Sequence, residues 1–257
     1  MNYLIFLTFS ALAPFISADE PAVSTASGLP YQESVEHTWN WVIDGKRIGA
    51  TRARIRPPSD EGSEWTLDAR LHFSRAGRAI ESRSLTTFSG GSRRLIKYRR
   101  DLRSGLSGAD PNSSVTSALF GTESTEVRVQ NSSLPEIVEQ NFNTGEFPKI
   151  LDSQCFEHWL LLTPSFPAKG KGKIKVLVPT EQRFLELELT RELIEGEGPE
   201  RLHRWNIRND TFEALIWVDD KGVIQRYLQG SLDILREVAS TPGQKDKQKE
   251  RKRGSGD

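Results

Sequence analysis

The sequence predicts a mainly β protein: a strongly curved antiparallel sheet, or half-barrel, of about ten to twelve strands around one short helix. Three observations carry this. Apolar and polar residues alternate with period two through most of the chain. Gly-centred turns recur at short intervals between those runs. Only one stretch, "DSQCFEHWLLL", has clear helical spacing.

The elements follow in order. Residues 1–18, "MNYLIFLTFSALAPFISA", carry no charged side chain and hold an apolar run too short to span a bilayer. They read as a signal peptide cleaved after Ala18. Residues 19–33 are rich in Ala, Ser, Pro and Gly and read as a flexible lead-in. A single antiparallel β domain then fills 34–238.

Its first strands are the clearest. In "WNWVIDGKRIGA" the pair Asp44-Gly45 supplies a tight turn with positive φ at both central positions. A two-residue loop sets Trp41 opposite Ile48 and Trp39 opposite Ala50, with those four side chains facing inward. "EWTLDARLHF" puts Trp65, Leu67, Ala69, Leu71 and Phe73 on one face. Ala76-Gly77 turns the chain into "RAIESRSLTTF", and "RRLIKYRRDL" follows Gly90-Gly91. These make a five-strand meander. Residues 104–122 read as irregular, "TEVRVQ" as a sixth strand, and "SLPEIVEQNF" as a helical turn or two.

The short helix comes next. Asp152 or Ser153 can cap it, Phe156, Trp159 and Leu160 share one stripe, and Thr163-Pro164 stops it. "PAKGKGK" reads as an exposed loop. Five further strands follow: "KIKVLVP", "RFLELELTREL", "RLHRWNIRN", "FEALIWVDD" and "VIQRYLQGSLDIL". They echo the first set in pattern, as an internal duplication of 35–103 and 173–237 would. Residues 239–257 are charged, lack an apolar anchor and read as a disordered tail.

Charge narrows the function classes. The formal net charge is zero, which gives no bulk argument for nucleic acid. Locally, residues 46–103 hold 15 Lys/Arg against 6 Asp/Glu, and 123–219 hold 11 against 17. Two readings stay open. Arg-rich strands could pair with Glu-rich neighbours, or a basic face could meet an anionic ligand such as lipid headgroups. Cys155 is the single cysteine, so there is neither an internal disulfide nor a lipid-bearing cysteine after residue 18. Together with the signal, this points to a bacterial exported protein, periplasmic or extracellular. Beyond the signal, no apolar run reaches membrane-spanning length.

The order of "WNWVIDGKRIGATRARI", "FEHWLLLTP" and "IWVDDKGVIQRY" resembles a group of bacterial exported proteins of unknown function. Those proteins open on an aromatic and a D-G-K-x-x-G hairpin and close on W-V-D-x-x-G. They are similar in turn to the lipoprotein-carrier class, in which a curved antiparallel sheet wraps helices and forms an apolar cavity. The resemblance covers roughly 35–237 and rests on the turn residues Asp44, Gly45, Gly49, Asp219 and Gly222. It implies a fold and carries no activity.

Candidate chemistry is sparse. Cys155 and His158 lie three apart on the helix and could share a face, but thiol hydrolases assemble that pair from distant segments. A small buried cysteine and a surface histidine explain the same spacing. His37, His72, His158 and His203 are scattered without metal-site spacing, so no metal and no cofactor is expected. Glu186/Glu188 share a solvated strand face, Asp219/Asp220 sit in a turn, and Glu195/Glu197 are adjacent acids with no partner across a cleft. The tryptophans remain. Trp39, Trp41, Trp65, Trp205 and Trp217 could line a cavity for an apolar or amphipathic ligand such as a lipid, or they could fill the interior of a curved sheet. The sequence therefore points to a non-enzymatic exported binding protein. Two alternatives stay open: an envelope adaptor binding a partner through a sheet edge, and a hydrolase using Cys155 or a carboxylate pair.

Overall fold

The computed structural model describes residues 31–59, 63–106, 111–133, 136–145, 148–196 and 201–237. The segment read as a signal, nearly all of the lead-in and the 239–257 tail lie outside them. Among the described residues, fourteen strands form one sheet in which every neighbour is antiparallel. The first meander is β1 (Val35–Ile43), β2 (Lys46–Arg56), β3 (Trp65–Arg75), β4 (Arg78–Phe88), β5 (Leu95–Leu106), β6 (Asn112–Phe120), β7 (Ser124–Asn131) and β8 (Val138–Asn143). The second is β9 (Lys171–Val178), β10 (Arg183–Glu195), β11 (Leu202–Arg208), β12 (Glu213–Asp219), β13 (Ile224–Gln229) and β14 (Leu232–Arg236).

The two meanders meet at β1 and β14, with Trp39 opposite Arg236 and Trp41 opposite Ile234. Strands β8 and β9 are the two ends, so the sheet stays open. It curls until those ends approach each other. Gln182, after β9, donates to the carbonyls of Val127 and Val138, and Phe142 of β8 meets Phe184 of β10 edge-on at 5.6 Å. Residues 149–151 run parallel beside β9, bonded through Leu177 at 2.8 and 3.0 Å. Inside the curl lies the helical segment: a 3-10 turn (Phe156–His158), the helix α1 (Trp159–Leu162) and a second 3-10 turn (Thr163–Ser165). Phe156, Trp159 and Leu160 are all buried, but so is every residue from Cys155 to Leu160, so the segment is enclosed on all sides rather than packed by one stripe.

The turn chemistry holds. Asp44 and Gly45 have φ of 50° and 74°, and Ala76 and Gly77 have 49° and 75°. The hairpin register does not hold. Val42 pairs with Arg47, but Trp41 pairs with Gly49 and Trp39 with Thr51. Ile48 is the extra residue of a β-bulge, which shifts everything beyond it by one. Thr51 therefore takes the inward place expected of Ala50, and Ala50 stands opposite outward-facing His72. Gly49 permits this: a Cβ there would lie 2.2 Å from the His72 carbonyl oxygen on β3.

Three strands are additional to the reading of the sequence. Part of the stretch taken as irregular is β6, and "SLPEIVEQNF" contributes the edge strand β8 rather than helix. "VIQRYLQGSLDIL" is two strands, because Gly230, with φ of 56°, and Ser231 turn the chain between β13 and β14. Strand β9 also begins inside "PAKGKGK". The charge-rich segments do not alternate. Strands β2 to β5 neighbour one another, and Glu-rich β10 lies near the far end of the sheet.

Candidate functional site

The site begins with an anomaly of alternation. On β5 the inward positions hold Tyr98 and Arg100, and both are buried. A buried guanidinium demands partners. Arg100 Nε donates to Ser82 Oγ at 3.1 Å and Nη2 to Gln154 Oε1 at 3.1 Å. Its Nη1 lies 3.7 Å from Asp152 Oδ2. Asp152, equally buried, gathers the rest. It accepts from Tyr98 OH at 2.6 Å, Thr180 Oγ1 at 2.7 Å, and the backbone N–H groups of Thr180 and Ser153, both at 3.0 Å. Asp152 is thus not a helix cap. It clips the start of the helical segment to β5 and to the turn after β9.

Cys155, Glu157 and His158 share this nest. Ser84 Oγ donates to Glu157. Tyr98 has one hydroxyl proton, and Asp152 takes it, so the thiol of Cys155, 3.3 Å away, is the donor to the tyrosine oxygen. His158 is fully buried and not at the surface; its Nδ1 accepts the backbone N–H of Asp152 at 2.9 Å. Burial holds the His158 pKa below its ordinary value. Burial, and then the Glu157 charge, pushes the Cys155 thiol up; burial and Asp152 do the same to Tyr98.

These assignments decide the chemistry. Ligand atoms of Cys155, Glu157 and His158 lie within 4.8 Å of one another, a donor set that a soft divalent metal could use. The hydrogen bonding opposes it. A neutral imidazole whose Nδ1 accepts must carry its proton on Nε2, which leaves no free lone pair for a metal. A protonated thiol beside an imidazole with no free lone pair is also a poor nucleophile. The carboxylate pairs lie elsewhere. Glu186 and Glu188 bind Lys173 on the outer face, Asp219 Oδ1 accepts the N–H groups of Lys221 and Val223 in its turn, and Asp220 meets His203. Glu195 faces Arg204, and Glu197 lies outside the described residues.

Next to the nest the interior changes character. Phe156 is an aromatic hub, with ring centroids of Trp39, Tyr227 and Trp41 at 5.2, 5.7 and 6.4 Å. Beside it opens a cavity of about 310 Å³. Trp41, Phe156, Trp159, Phe212, Tyr227, Leu232 and Ile234 supply its apolar wall. Asp152, Gln154 and Cys155 line it on the nest side, and exposed Glu181 and Arg183 stand among the lining residues. Glu181 accepts from Ser153 Oγ at 3.0 Å and from Arg183 Nε at 2.6 Å.

Of the five tryptophans named from the sequence, Trp41 lines this cavity, with its Nε1 donating to Thr51 Oγ1 at 2.9 Å. Trp39 is wholly buried behind the hub and donates to the Ile224 carbonyl. Trp65 lies under Arg93, and Trp205 between Phe166 and Arg191. Trp217 alternates with core residues Ile216 and Val218 and is covered by Arg226. Trp159, from the helix, joins Trp41 at the wall. Sequence reasoning missed the Tyr98–Arg100–Asp152 nest. The available signal was an arginine at an inward position of β5.

No protein-family model and no curated protein sequence matches the chain. Its fold is similar to the crystal structure of a β-barrel-like protein of a domain of unknown function, DUF1849, from Brucella abortus. The TM-score is 0.53 at 10% identity, covering 79% of this chain and 94% of that one. The likeness shows a β-barrel-like fold shared with a bacterial protein of unknown function. No helix among the described residues is long and apolar enough to cross a membrane.

Proposed function

We propose that this is an exported, non-enzymatic binding protein that holds the apolar part of an amphipathic ligand inside the curled sheet. The observation that carries this is the cavity: aromatic and aliphatic on one wall, polar toward Asp152 and Gln154, with Glu181 and Arg183 among its exposed lining. At about 310 Å³ it sits at the small end of ligand pockets, which suits one acyl chain or a compact amphiphile. The curved sheet and its enclosed helix, which the resemblance to the lipoprotein-carrier class implies, support the same reading. So does the apolar segment at 1–18, read as an export signal. The ligand-lining set is Trp41, Phe156, Trp159 and Tyr227.

The test is native mass spectrometry of protein purified from its own host's envelope, beside titration with a fluorescent long-chain fatty acid. A co-purifying amphiphile, and saturable uptake lost in the cavity-filling variant Leu232→Trp, support the reading. Equal uptake by that variant, with no co-purifying species, sinks it.

One observation favours a second reading, an adaptor that pairs a partner strand. The β9 edge is covered by residues 149–151, whereas the β8 edge ends the sheet with Ile137 and Val138 exposed. A Pro at Gln140 that abolishes capture of a partner but leaves fatty-acid uptake intact would favour the adaptor.

A further inference from the structure

The outer face of β2–β5 carries a charge arrangement that the folding of this sheet does not require. Arg52 stands directly opposite Arg70, and Arg70 directly opposite Arg83, on three adjacent strands. All three are exposed. Strands are spaced ~4.8 Å apart, so three guanidinium-bearing positions fall within ~10 Å. Like charges placed opposite one another destabilise a sheet.

Arg52 reaches sideways to Glu36 and Arg83 to Asp68 at 3.2 Å. Arg70 has no ion-pair partner among the described residues. The other half of the sheet is built differently. There Glu188 separates Arg208 from Lys173 in one row and bonds to both. Part of the basic excess of 46–103 is therefore gathered on this face, beside Asp68 and Asp101, and Arg70 is its member left without an ion pair among the described residues.

Apolar side chains are interleaved with it. Leu85 and Leu119 are 38% and 49% exposed. Leu85 stands opposite Arg99, and Leu119 opposite Lys97. A soluble polyanion would satisfy the cations and leave both leucines in water. An anionic bilayer satisfies both, with phosphates meeting the arginines and the leucines entering the headgroup boundary.

The geometry points to the convex face of β2–β6 as a docking surface for an anionic membrane, through Arg52, Arg70, Arg83, Leu85 and Leu119. The face is opposite the cavity, and the inference stands whether or not the cavity holds a ligand.

Vesicle co-sedimentation of the full chain tests it, comparing phosphatidylcholine–phosphatidylglycerol vesicles with pure phosphatidylcholine. Binding is expected only to the anionic vesicles, and it weakens as salt rises. Arg70→Gln, which loses no internal partner, weakens binding about fivefold, and the Arg52/Arg70/Arg83→Gln triple variant on the order of a hundredfold. Leu85→Ser with Leu119→Ser weakens it without changing the salt dependence. Lys173→Gln with Arg208→Gln leaves it unchanged, and circular dichroism checks that each variant is folded. Equal binding to neutral vesicles, no effect of Arg70→Gln, or an equal loss in the Lys173/Arg208 control overturns the proposal. So does binding to heparin without binding to vesicles, which would assign the face to a soluble polyanion.

Discussion

The interior under β4–β6 and the interior under β1, β13 and β14 are opposite solutions to one problem, how to hold a short helical segment inside a curled sheet. On the first side the sheet offers Ser82, Ser84, Arg100 and Thr116, all buried, and the segment answers with Asp152, Gln154 and Glu157. On the second side Phe156 and Trp159 meet Trp39 and Trp41 of β1 and Tyr227 of β13 through ring contacts, and a single hydrogen bond, from Thr163 Oγ1 to the Gly222 carbonyl at 2.6 Å, fastens the far end of the segment. Polar contacts fix position because each bond has a direction and each missing partner is costly. Ring contacts tolerate slack, and the cavity is found there. The polar side places the segment, and the aromatic side leaves room.

The largest break in that contrast is Asp152→Ala. It strips four hydrogen bonds from one carboxylate and leaves Arg100 buried without its ion-pair partner. The expected loss is about 3–5 kcal/mol, read by urea denaturation. Adding Arg100→Met should recover part of it, so the double variant loses far less than the sum of the singles. Purely additive losses would show that the pair does not act as a unit.

Acid should act on both sides. His37, against Trp39, is held down to about 4 by burial and then by Arg236, and His158 is lowered by burial. Both imidazoles titrate lower in the fold than in an open chain. The unfolded state therefore takes up protons first, and stability present above about pH 6.5 is lost as pH falls toward 4. His37→Leu should flatten denaturation midpoints measured between pH 7 and 4.5; an unchanged slope would place the acid sensitivity elsewhere.

Trp41→Phe is milder. It removes the donor to buried Thr51 Oγ1 and one ring of the cavity wall, costing about 1–2 kcal/mol while enlarging the space for a fatty-acid probe. The smallest effect is at Cys155. Its thiol should resist a disulfide reagent in the folded protein and react as soon as urea unfolds it. Rapid labelling in native buffer would mean that the reagent reaches the buried thiol through the cavity that Cys155 lines.

The turns and the long strands were legible because local rules decide them: Asp44-Gly45, Ala76-Gly77 and the period-two run from Trp65 to Phe73. What escaped depended on distant neighbours. The Ile48 bulge is possible because Gly49 lets β3 approach, and nothing within the hairpin signals it. Strand β6 was hidden because it lies over the polar nest, so Thr116 rather than an apolar residue fills an inward place. Strand β8 was hidden because an edge strand buries little; Phe142 is its one buried side chain. Asp152 looked like a cap because its real partners, Tyr98 and Thr180, lie 54 and 28 residues away. The cavity wall was legible only at Trp41, since pattern alone cannot separate a tryptophan that fills space from one that borders it.

The seam between β1 and β14 bears on how the molecule comes into being. Trp39 is fastened to Ile224, 185 residues further along, and β1 has no neighbour on one side until the last strand arrives. The middle of the sheet is thus completed by β14, far along the sequence from β1. A nascent polypeptide would carry the β1–β2 hairpin with one edge of β1 unpaired until β14 is made, and closing that seam would be slow and late, since long-range pairing must first overcome the entropy of closing so large a loop.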